Sequence, residues 1–507
     1  MADSCSRVSL PTLTPDRLAL LRERRVELPS SRLLNAPETI LQLGWGKFLR
    51  GFTPDFVQLA NENGYYHGRI LAVQRKFDDR WNAATRQGSL YTLILRGIED
   101  GRSVEIKRII GSVSRLLVAD QQWDQVKAAV RKRELRVIIT NATETGLQFD
   151  PTDCFEFNSP SSLPGKMTQL LFERWLATKG QDANIAVIPT ELVLNNGPMI
   201  HQLLLEQARS WNLGGAFEQW MINSVHVAST LVDRIVVGTP RADLLGQECS
   251  ALGYQDDLLT CGEPYYFFAI QADEFVRRHF PMHLATPNVR FVDDLAPHRR
   301  RKLRLLNGPQ MVLSTLGTLL EYNLVREVVN DTQVNAFTQQ TLWKEIVPAM
   351  GPEEEKVNAE YAHECYQRIG NPAVEHRLEG IRMDLTTKNA IRLFPSIRDF
   401  MARNNELPKR LLLTVAATLA AALKIRLQDV NAGYVAARWS STNANSRESL
   451  LAFTRDTLSR FSDLSHEILD FDTVSPEVCD SLWSIRQDGI RSVLAKRYGD
   501  DISVAQT

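Results

Sequence analysis

Two stretches of the chain carry residues whose types and spacing suit chemistry on an alcohol or a carbonyl group. The first contains Lys302 and Asn307, which in an α-helix would lie more than one turn apart but can still lean toward one pocket. A lysine can move the proton of such a group, and an asparagine amide can hold its oxygen. The second stretch is a glycine turn, Gly44-Trp45-Gly46, which suits a dinucleotide. Together the two stretches suggest a hydride-transfer enzyme.

The glycine turn follows a predicted buried strand, residues 39–43, and precedes a helical pattern. Glycines at this place let backbone N–H groups approach a pyrophosphate at a helix N-terminus. Leu49 stands where the usual fingerprint has its third glycine, so an ordinary tight turn is an alternative. The next predicted strand, residues 69–73, is followed by Arg75 and Lys76, which could meet the 2′-phosphate of NADP or be solvated. These residues leave the choice between NAD and NADP open.

The order of the predicted elements indicates two different kinds of domain. Strands that alternate with helices in the first part predict a mostly parallel α/β sheet. Further strands are predicted at residues 90–95, 135–140, 184–189 and 289–292, and a helix at residues 164–179. From about residue 295 apolar residues recur at helical spacing, which predicts an all-α region. The predicted segments are an N-terminal extension at 1–36, an α/β domain at 37–294 and a helical domain at 295–507.

The composition indicates an ordinary globular protein with small-molecule chemistry. The 507 residues are 44% hydrophobic and 23% charged, and the formal net charge of −1 gives no indication of a nucleic-acid or membrane partner. The six cysteines form no CxxC motif, which disfavours a zinc site and a disulfide framework and fits the cytoplasm. The longest apolar run, residues 411–423, is too short to span a bilayer and predicts a buried helix.

Other polar residues follow predicted strands. Thr143 and Glu144 follow one of them, and we expect them at the carboxyl edge where ligands bind in such sheets, although a capping turn is an alternative. Asn196 follows another strand in an Asn-Gly turn. Asp233 stands beside Arg234 inside an apolar run, and a buried pair of this kind is as consistent with a purely structural role.

In their order and spacing these pieces resemble the long-chain polyol dehydrogenases, the family of the mannitol dehydrogenases and hexuronate reductases. The resemblance extends from about residue 38 to beyond residue 426. The motifs that carry it are Gly44-x-Gly46-x-Phe48-x-Arg50, Thr143-Glu144-x-Gly146, Ser229-Thr-Leu-Val-Asp233-Arg234-Ile235, Lys302-Leu-Arg-Leu-Leu-Asn307-Gly308, Arg368-x-x-Asn371-Pro372 and Lys388 with Arg392-Leu-Phe-Pro395. The resemblance implies an N-terminal Rossmann-type domain, an all-α C-terminal domain, and catalysis without a metal.

The resemblance also implies roles for individual residues. The catalytic residues would be Lys302 as general acid/base, Asn307 and Gln310. The cofactor-binding residues would be Gly44, Trp45, Gly46, Lys47, Phe48, Leu49, Arg50, Thr143 and Glu144. The substrate-binding residues would be Asn196, Asp233, Arg368, His376, Lys388 and Arg392. Arg368, Lys388 and Arg392 are the candidates for holding a carboxylate, whereas His376 is as consistent with a structural contact.

Gln310 departs from the family pattern, which has a histidine three residues after the asparagine. Glutamine forms hydrogen bonds but does not titrate, and Pro309 before it removes the backbone bond to Leu305 and favours a kink. The implied activity is NAD(H)-linked interconversion of a keto-hexuronate and its aldonate, with tagaturonate and altronate as the leading pair. Fructuronate with mannonate, or an uncharged hexitol, are alternatives within the family. A non-catalytic dinucleotide-binding protein is the alternative outside it.

Overall fold

The computed structural model describes residues 10–22, 25–99, 102–142, 146–373, 375–424, 429–465 and 469–504. The chain divides into two compact units, Met1–Ala296 and Pro297–Thr507. Within the described ranges, no helix combines the length and the apolar character that a membrane crossing requires.

The first unit contains all the strands that are named below. They are β1 (Glu38–Leu43), β2 (Arg69–Gln74), β3 (Tyr91–Glu99), β4 (Arg102–Ile110), β5 (Val113–Val118), β6 (Val137–Thr140), β7 (Ile185–Pro189), β8 (Val225–Val227), β9 (Ser229–Asp233), β10 (Val236–Gly238), β11 (Thr260–Gly262), β12 (Phe267–Gln271) and β13 (Val289–Phe291). Its helices are α1 (Ser31–Leu34), α2 (Lys47–Arg50), α3 (Thr53–Glu62), α4 (Asp79–Arg86), α5 (Ala119–Val130), α6 (Leu163–Thr178), α7 (Asn196–Ser210), α8 (Gly215–Ser224), α9 (Ala242–Leu252) and α10 (Glu274–His279). Short 3-10 helices cover Pro15–Leu21 and Met282–Leu284.

The central layer is a six-stranded sheet in the order β5-β2-β1-β6-β7-β8, and its neighbouring strands are all parallel. Strands β6 and β7 are buried along their whole length, as expected for a parallel sheet with helices on both faces. Because β1 lies between β2 and β6, the strand order reverses there and leaves a crevice at the carboxyl ends of β1 and β6. The prediction of a parallel α/β sheet is confirmed.

The predicted strand at residues 90–95 exists but belongs to a different sheet. It is β3, which pairs antiparallel with β4 along its full length in a four-stranded sheet of order β10-β11-β3-β4. A third sheet has the order β13-β12-β9. The apolar run of β3 looks the same whether its partners are parallel or antiparallel, so the sequence pattern does not distinguish the two sheets. Strand β4, whose first half alternates between polar and apolar residues, was missed in the sequence analysis.

A buried ion cluster joins these sheets to the helix that follows the glycine turn. Asp55 in α3 is 1% exposed and pairs with Arg234, at 2.8 Å, and with Arg108 of β4. Burial alone would raise the pKa of Asp55, but the two guanidinium groups hold it below its usual value. The expectation of a buried pair between Asp233 and Arg234 is therefore corrected, since the partner of Arg234 is Asp55.

The second unit is all-helical, as predicted. Its α-helices are α11 (Ala296–Arg301), α12 (Gly308–Leu319), α13 (Val325–Asn330), α14 (Thr332–Thr341), α15 (Val347–Met350), α16 (Glu355–Ile369), α17 (Leu378–Arg382), α18 (Leu385–Asn404), α19 (Lys409–Lys424), α20 (Val430–Ser440), α21 (Arg447–Ser465) and α22 (Phe471–Val504). Two π-helical segments, Lys302–Asn307 and Leu342–Ile346, and a 3-10 segment, Pro352–Glu354, connect some of them. Helix α19 is buried from Leu411 to Ala422, which confirms the buried helix predicted from its apolar run.

Asp55→Asn should lower the free energy of unfolding of the first unit by about 3–5 kcal/mol, because it removes the counter-charge of the buried Arg234 guanidinium, while Arg108 keeps its ion pair with Glu27. Calorimetry on the full chain would measure the change. The control is Glu218→Gln, which breaks the exposed ion pair with Arg209 and should cost less than about 1 kcal/mol. Equal losses in the two variants would contradict the structural role of the cluster.

Candidate functional site

The glycine turn joins β1 to α2 at the carboxyl edge of the parallel sheet. Gly44 has φ +138°, a backbone conformation that glycine adopts readily and other residues rarely do. A Cβ added there would lie 2.8 Å from the Leu49 side chain and 3.4 Å from the carbonyl oxygen of Asn141. At Gly46 an added Cβ would meet no atom within 4 Å. The first glycine therefore shapes the turn, and the second leaves open space in front of it.

The residues between and after the glycines differ in what they face. Gly46 and Lys47 are exposed, so they form the outer surface of the turn. Trp45 and Leu49 are buried in the hydrophobic core beneath it. Phe48 is partly buried and stacks on Phe52 with ring centroids 4.7 Å apart. Only the outer part of the predicted cofactor-binding stretch is open to a ligand.

Arg50 points inward and braces the turn. Its guanidinium donates to the carbonyl oxygen of Trp45 at 3.2 Å, and to the hydroxyls of Thr260 at 3.2 Å and Thr239 at 3.3 Å. The hydroxyl of Tyr91 donates to the carbonyl oxygen of Arg50 at 2.6 Å. Arg50 thus holds the turn against the four-stranded sheet of β10, β11, β3 and β4, and its guanidinium does not face outward.

An acidic residue that the sequence analysis missed lies just beyond β2. Arg75 and Lys76 are exposed, but Asp78 caps α4 and accepts hydrogen bonds from the backbone N–H and the Nε of Arg80, at 2.9 and 2.8 Å. Arg80 in turn lies 3.5 Å from the carbonyl oxygen of Trp45, so this pair sits beside the glycine turn. The signal was a helix-capping aspartate, a few residues after the positions where an acid is usually sought.

The carboxyl ends of β6 and β7 hold a second acid that the sequence analysis missed. Glu191 is 3% exposed and accepts hydrogen bonds from the Thr140 hydroxyl and the Ala142 backbone N–H, both at 3.0 Å. Burial raises the pKa of Glu191 to about 7. Thr143 and Glu144, which were predicted to lie at this edge, fall outside the described residues.

Asn196 and Asp233 lie on neighbouring elements, and the amide of Asn196 already has partners. Asn196 is fully buried; its amide donates to the carbonyl oxygens of Glu191 and Thr230 and accepts from the backbone N–H groups of Thr230 and Gly197. These bonds tie the turn after β7 to β9. Asp233 is buried at the last position of β9.

In the second unit, Lys302 and Asn307 are the first and last residues of a π-helical turn. A π turn bonds residue i to residue i+5. Lys302 and Asn307, which are five positions apart, are therefore more nearly aligned along the helix axis than they would be in an α-helix. Pro309 follows two residues later and has no N–H to donate to the carbonyl oxygen of Leu305. The kink expected at Pro309 thus takes the form of a π turn. Lys302 is only 8% exposed.

Asn307 and Gln310 contact each other directly. The Asn307 amide nitrogen donates to the side-chain oxygen of Gln310 at 2.9 Å, and Gln310 is 8% exposed. Gln310 therefore fixes the orientation of the Asn307 amide. A neutral histidine ring can also accept a hydrogen bond, but its size and shape differ from those of the glutamine amide.

The arginines around Lys302 in the sequence have partners of their own. Arg304 forms an ion pair with Asp399 at 2.7 Å, and Arg301 forms one with Glu354 at 2.9 Å. Both charges are thus largely compensated by acidic side chains of the helical unit.

Two of the predicted carboxylate-binding residues lie one turn apart on α18. The guanidinium of Arg392 is partly buried and lies 3.5 Å from the sulfur of Met311, the residue after Gln310. Burial lowers the pKa of Arg392 to about 10. No acidic side chain within the described ranges forms an ion pair with it. The ammonium group of Lys388 donates to the carbonyl oxygen of Ile381 at 3.2 Å.

Arg368 and His376 are the remaining predicted substrate-binding residues of the helical unit. Arg368 is buried near the end of α16, with its guanidinium 4.0 Å from the sulfur of Cys365. The backbone carbonyl of His376 accepts a hydrogen bond from the N–H of Val325 at 2.9 Å. Over the part of the chain that the structure describes, no group of three or more His, Cys, Asp or Glu side chains could hold a metal ion.

Comparison with known proteins identifies the family. The model of the mannitol dehydrogenase Rossmann domain matches residues 38–283, and that of the mannitol dehydrogenase C-terminal domain matches residues 294–424. An altronate oxidoreductase from Bacillus subtilis (strain 168) is 33% identical over 384 residues, which cover 76% of this chain and 79% of that protein. The altronate oxidoreductase of Halalkalibacterium halodurans is 35% identical over 385 residues, covering 76% of this chain and 75% of its own.

Solved structures show the same fold at lower identity. The ternary complex of Pseudomonas fluorescens mannitol 2-dehydrogenase with NAD and D-mannitol has a TM-score of 0.75 and 22% identity, covering 96% of this chain and 99% of its own. A substrate-free D-sorbitol dehydrogenase has a TM-score of 0.78 and 20% identity, covering 95% and 100%. The predicted fold and the predicted dehydrogenase class are confirmed, and the chain belongs to the mannitol dehydrogenase family.

Proposed function

We propose that this protein is an NAD(H)-dependent oxidoreductase that interconverts a keto-hexuronate and the corresponding hexonate, with tagaturonate and altronate as the pair. The observation that carries the substrate class is Arg392, a partly buried guanidinium without an acidic partner among the described residues, beside the helix of Asn307 and Gln310. A substrate carboxylate would supply the missing charge. The names of the altronate oxidoreductase relatives support the same class of sugar acid.

The residues at the carboxyl edge of the parallel sheet fit a dinucleotide. Gly44 allows a tight turn, and the space in front of Gly46 lets the backbone approach a pyrophosphate closely. Asp78 provides a carboxylate beside the turn, which favours the ribose hydroxyl of NAD over the 2′-phosphate of NADP. The exposed side chains of Arg75 and Lys76 would instead favour the phosphate of NADP. When bound, NAD supplies a nicotinamide that exchanges hydride with the substrate carbon.

The residues of the π turn would perform the proton chemistry. In the oxidation direction, uncharged Lys302 takes the proton of the substrate hydroxyl, and in reduction it returns that proton. The Asn307 amide has one N–H bonded to Gln310 and a second N–H that can donate to the substrate oxygen as negative charge develops. The role of Gln310 is to hold that amide in place.

Gly46→Val should weaken NADH binding, because the new side chain occupies the space that the pyrophosphate needs. The fold should survive, since a Cβ at this position meets no atom within 4 Å. The control is Gly246→Val, at an exposed helical position of α9 that is equally open. Fluorescence titration with NADH measures both variants. An unchanged dissociation constant for a folded Gly46→Val protein would rule out this turn as the pyrophosphate site.

Lys302→Ala should lower kcat by about 10²–10⁴, as expected for the loss of a general acid/base, while NADH still binds. The control is Lys344→Ala, which removes an exposed lysine from the other π-helical segment. Gln310→His should change KM for the uronate more than kcat, because it alters a hydrogen-bonding partner and leaves the base intact. The measurement is the pH profile of kcat/KM. A Lys302→Ala enzyme with near wild-type turnover and pH profile would show that this helix does not carry the chemistry.

Arg392→Ala should reduce kcat/KM for a keto-hexuronate about ten- to a hundredfold more than for a neutral ketohexose, the equivalent of a charge-assisted hydrogen bond of ~1.5–3 kcal/mol. Arg398→Ala is the matched control, since Arg398 lies on the same helix but is exposed and paired with Asp399. Steady-state kinetics on both substrates measure the ratio. Equal losses on the acid and on the ketose would exclude Arg392 as the carboxylate site.

A further inference from the structure

Glu191 is a buried carboxyl group that the proposed proton chemistry does not use. It lies just after β7, at the carboxyl edge of the parallel sheet, and binds the Thr140 hydroxyl and the Ala142 N–H. Between these two partners is Asn141, whose carbonyl oxygen would contact a Cβ at Gly44 at 3.4 Å. The carboxyl group therefore holds the segment that forms one wall of the glycine turn.

Glu191 lies on the side of the sheet where the nicotinamide half of a dinucleotide would bind. In sheets of this topology the pyrophosphate lies at the turn after the first strand, and the adenosine ribose lies at the end of the second. Here these places are the glycine turn after β1 and the end of β2 near Asp78. The nicotinamide half would then extend to the opposite side of β1, over β6 and β7, and Glu191 lies just after β7.

We propose that Glu191 is a positioning residue that distinguishes the two redox forms of the cofactor by gaining or losing a proton. This inference rests on the proposed function. The nicotinamide ring carries a positive charge in NAD⁺ and none in NADH. A buried carboxylate beside the ring attracts the first form, whereas a neutral carboxylic acid fits the second.

The two hydrogen-bond donors that the described residues supply to the Glu191 carboxyl are neutral groups. The Glu191 carboxyl accepts hydrogen bonds from the Thr140 hydroxyl, at the end of β6, and from the Ala142 N–H, two residues after β6. The ionisable residue of β9, which packs against β7, is Asp233, three positions beyond Thr230. Strand β8 carries His226, which lies opposite Ala186 near the start of β7 and contacts Asp273, the residue before α10. The ionisable residues of α7, which line a groove on that helix, are His201, Glu206 and Arg209.

Burial raises the pKa of Glu191 to about 7, so the group changes charge near neutrality. The sign of the effect follows from linkage. As pH rises through this pKa the carboxylate forms and NAD⁺ binds more tightly, and NAD⁺ binding releases a proton. NADH gains nothing from the carboxylate, so its affinity stays level or falls.

The test measures nucleotide binding and proton release rather than turnover. Because the proposed function gives Lys302 a proton to exchange, all proteins in this test carry Lys302→Ala. Dissociation constants for NAD⁺ and NADH are measured between about pH 6 and 8.5 by calorimetry in buffers of different ionisation enthalpy, which also counts released protons. Glu191→Gln removes the charge, and its amide can still accept from Ala142 and donate to Thr140. Glu191→Asp keeps the charge.

We expect NAD⁺ to bind about tenfold more tightly at the upper pH than at the lower, relative to NADH, a change that corresponds to one pKa unit. This dependence and the released proton should vanish in Glu191→Gln and persist in Glu191→Asp. The same pH dependence in Glu191→Gln, or none in the parent protein, would overturn the inference while leaving the proposed function intact. Failure of the parent protein to bind either nucleotide would overturn both.

Discussion

The buried ion cluster around Asp55 is the constraint on which the geometry of the first unit depends. One carboxylate is shared by two guanidinium groups, and Arg234 also donates to the carbonyl oxygen of Gly51 at 2.9 Å, directly after α2. Any arrangement that separated these groups would leave a buried charge unpaired, at a cost of several kcal/mol. The cluster therefore brings α3, β4 and the residue after β9 to one place. The glycine turn is fixed on its inner side by this cluster and by Arg50, which leaves its outer side for a ligand.

The sequence predicted those parts of the fold that local patterns determine, and it missed those set by distant partners. Strands β1, β2, β6 and β7 are short apolar runs, and helix α19 is a longer one, so each was found. Arg234 was assigned to its neighbour Asp233, but its partner Asp55 is 179 positions away in the chain, and no local pattern reports that distance. Glu191 was missed for the same reason, because its burial and its bonds to Thr140 and Ala142 arise only when two parallel strands lie side by side.

The π turn shows how a proline can set the spacing of functional residues. Pro309 and Pro348 each lie two residues after a π-helical segment, and each lacks the N–H that would bond the carbonyl oxygen four residues earlier. The freed carbonyl allows the wider i to i+5 turn. A Cβ on Gly308 would lie 3.2 Å from the side chain of Ile346, so the second segment packs closely behind the first. Residues five positions apart, such as Lys302 and Asn307, do not lie on the same face of an α-helix, but they do align in a π-helical turn. In the sequence, Pro309 was the local feature that indicated this turn.

The charges of the helical unit suggest how a substrate acid would be preferred over a neutral sugar. Arg301 and Arg304 are paired with acids inside the unit, but Arg392 contacts a methionine sulfur and has no acidic partner among the described residues. A neutral hexitol bound against Arg392 would remove water from the guanidinium and return no charge, which is a penalty. A hexuronate would replace that water with a carboxylate. Discrimination would then arise mainly because the neutral substrate leaves a partly buried charge unsatisfied, and such penalties separate substrates more strongly than an added apolar contact does.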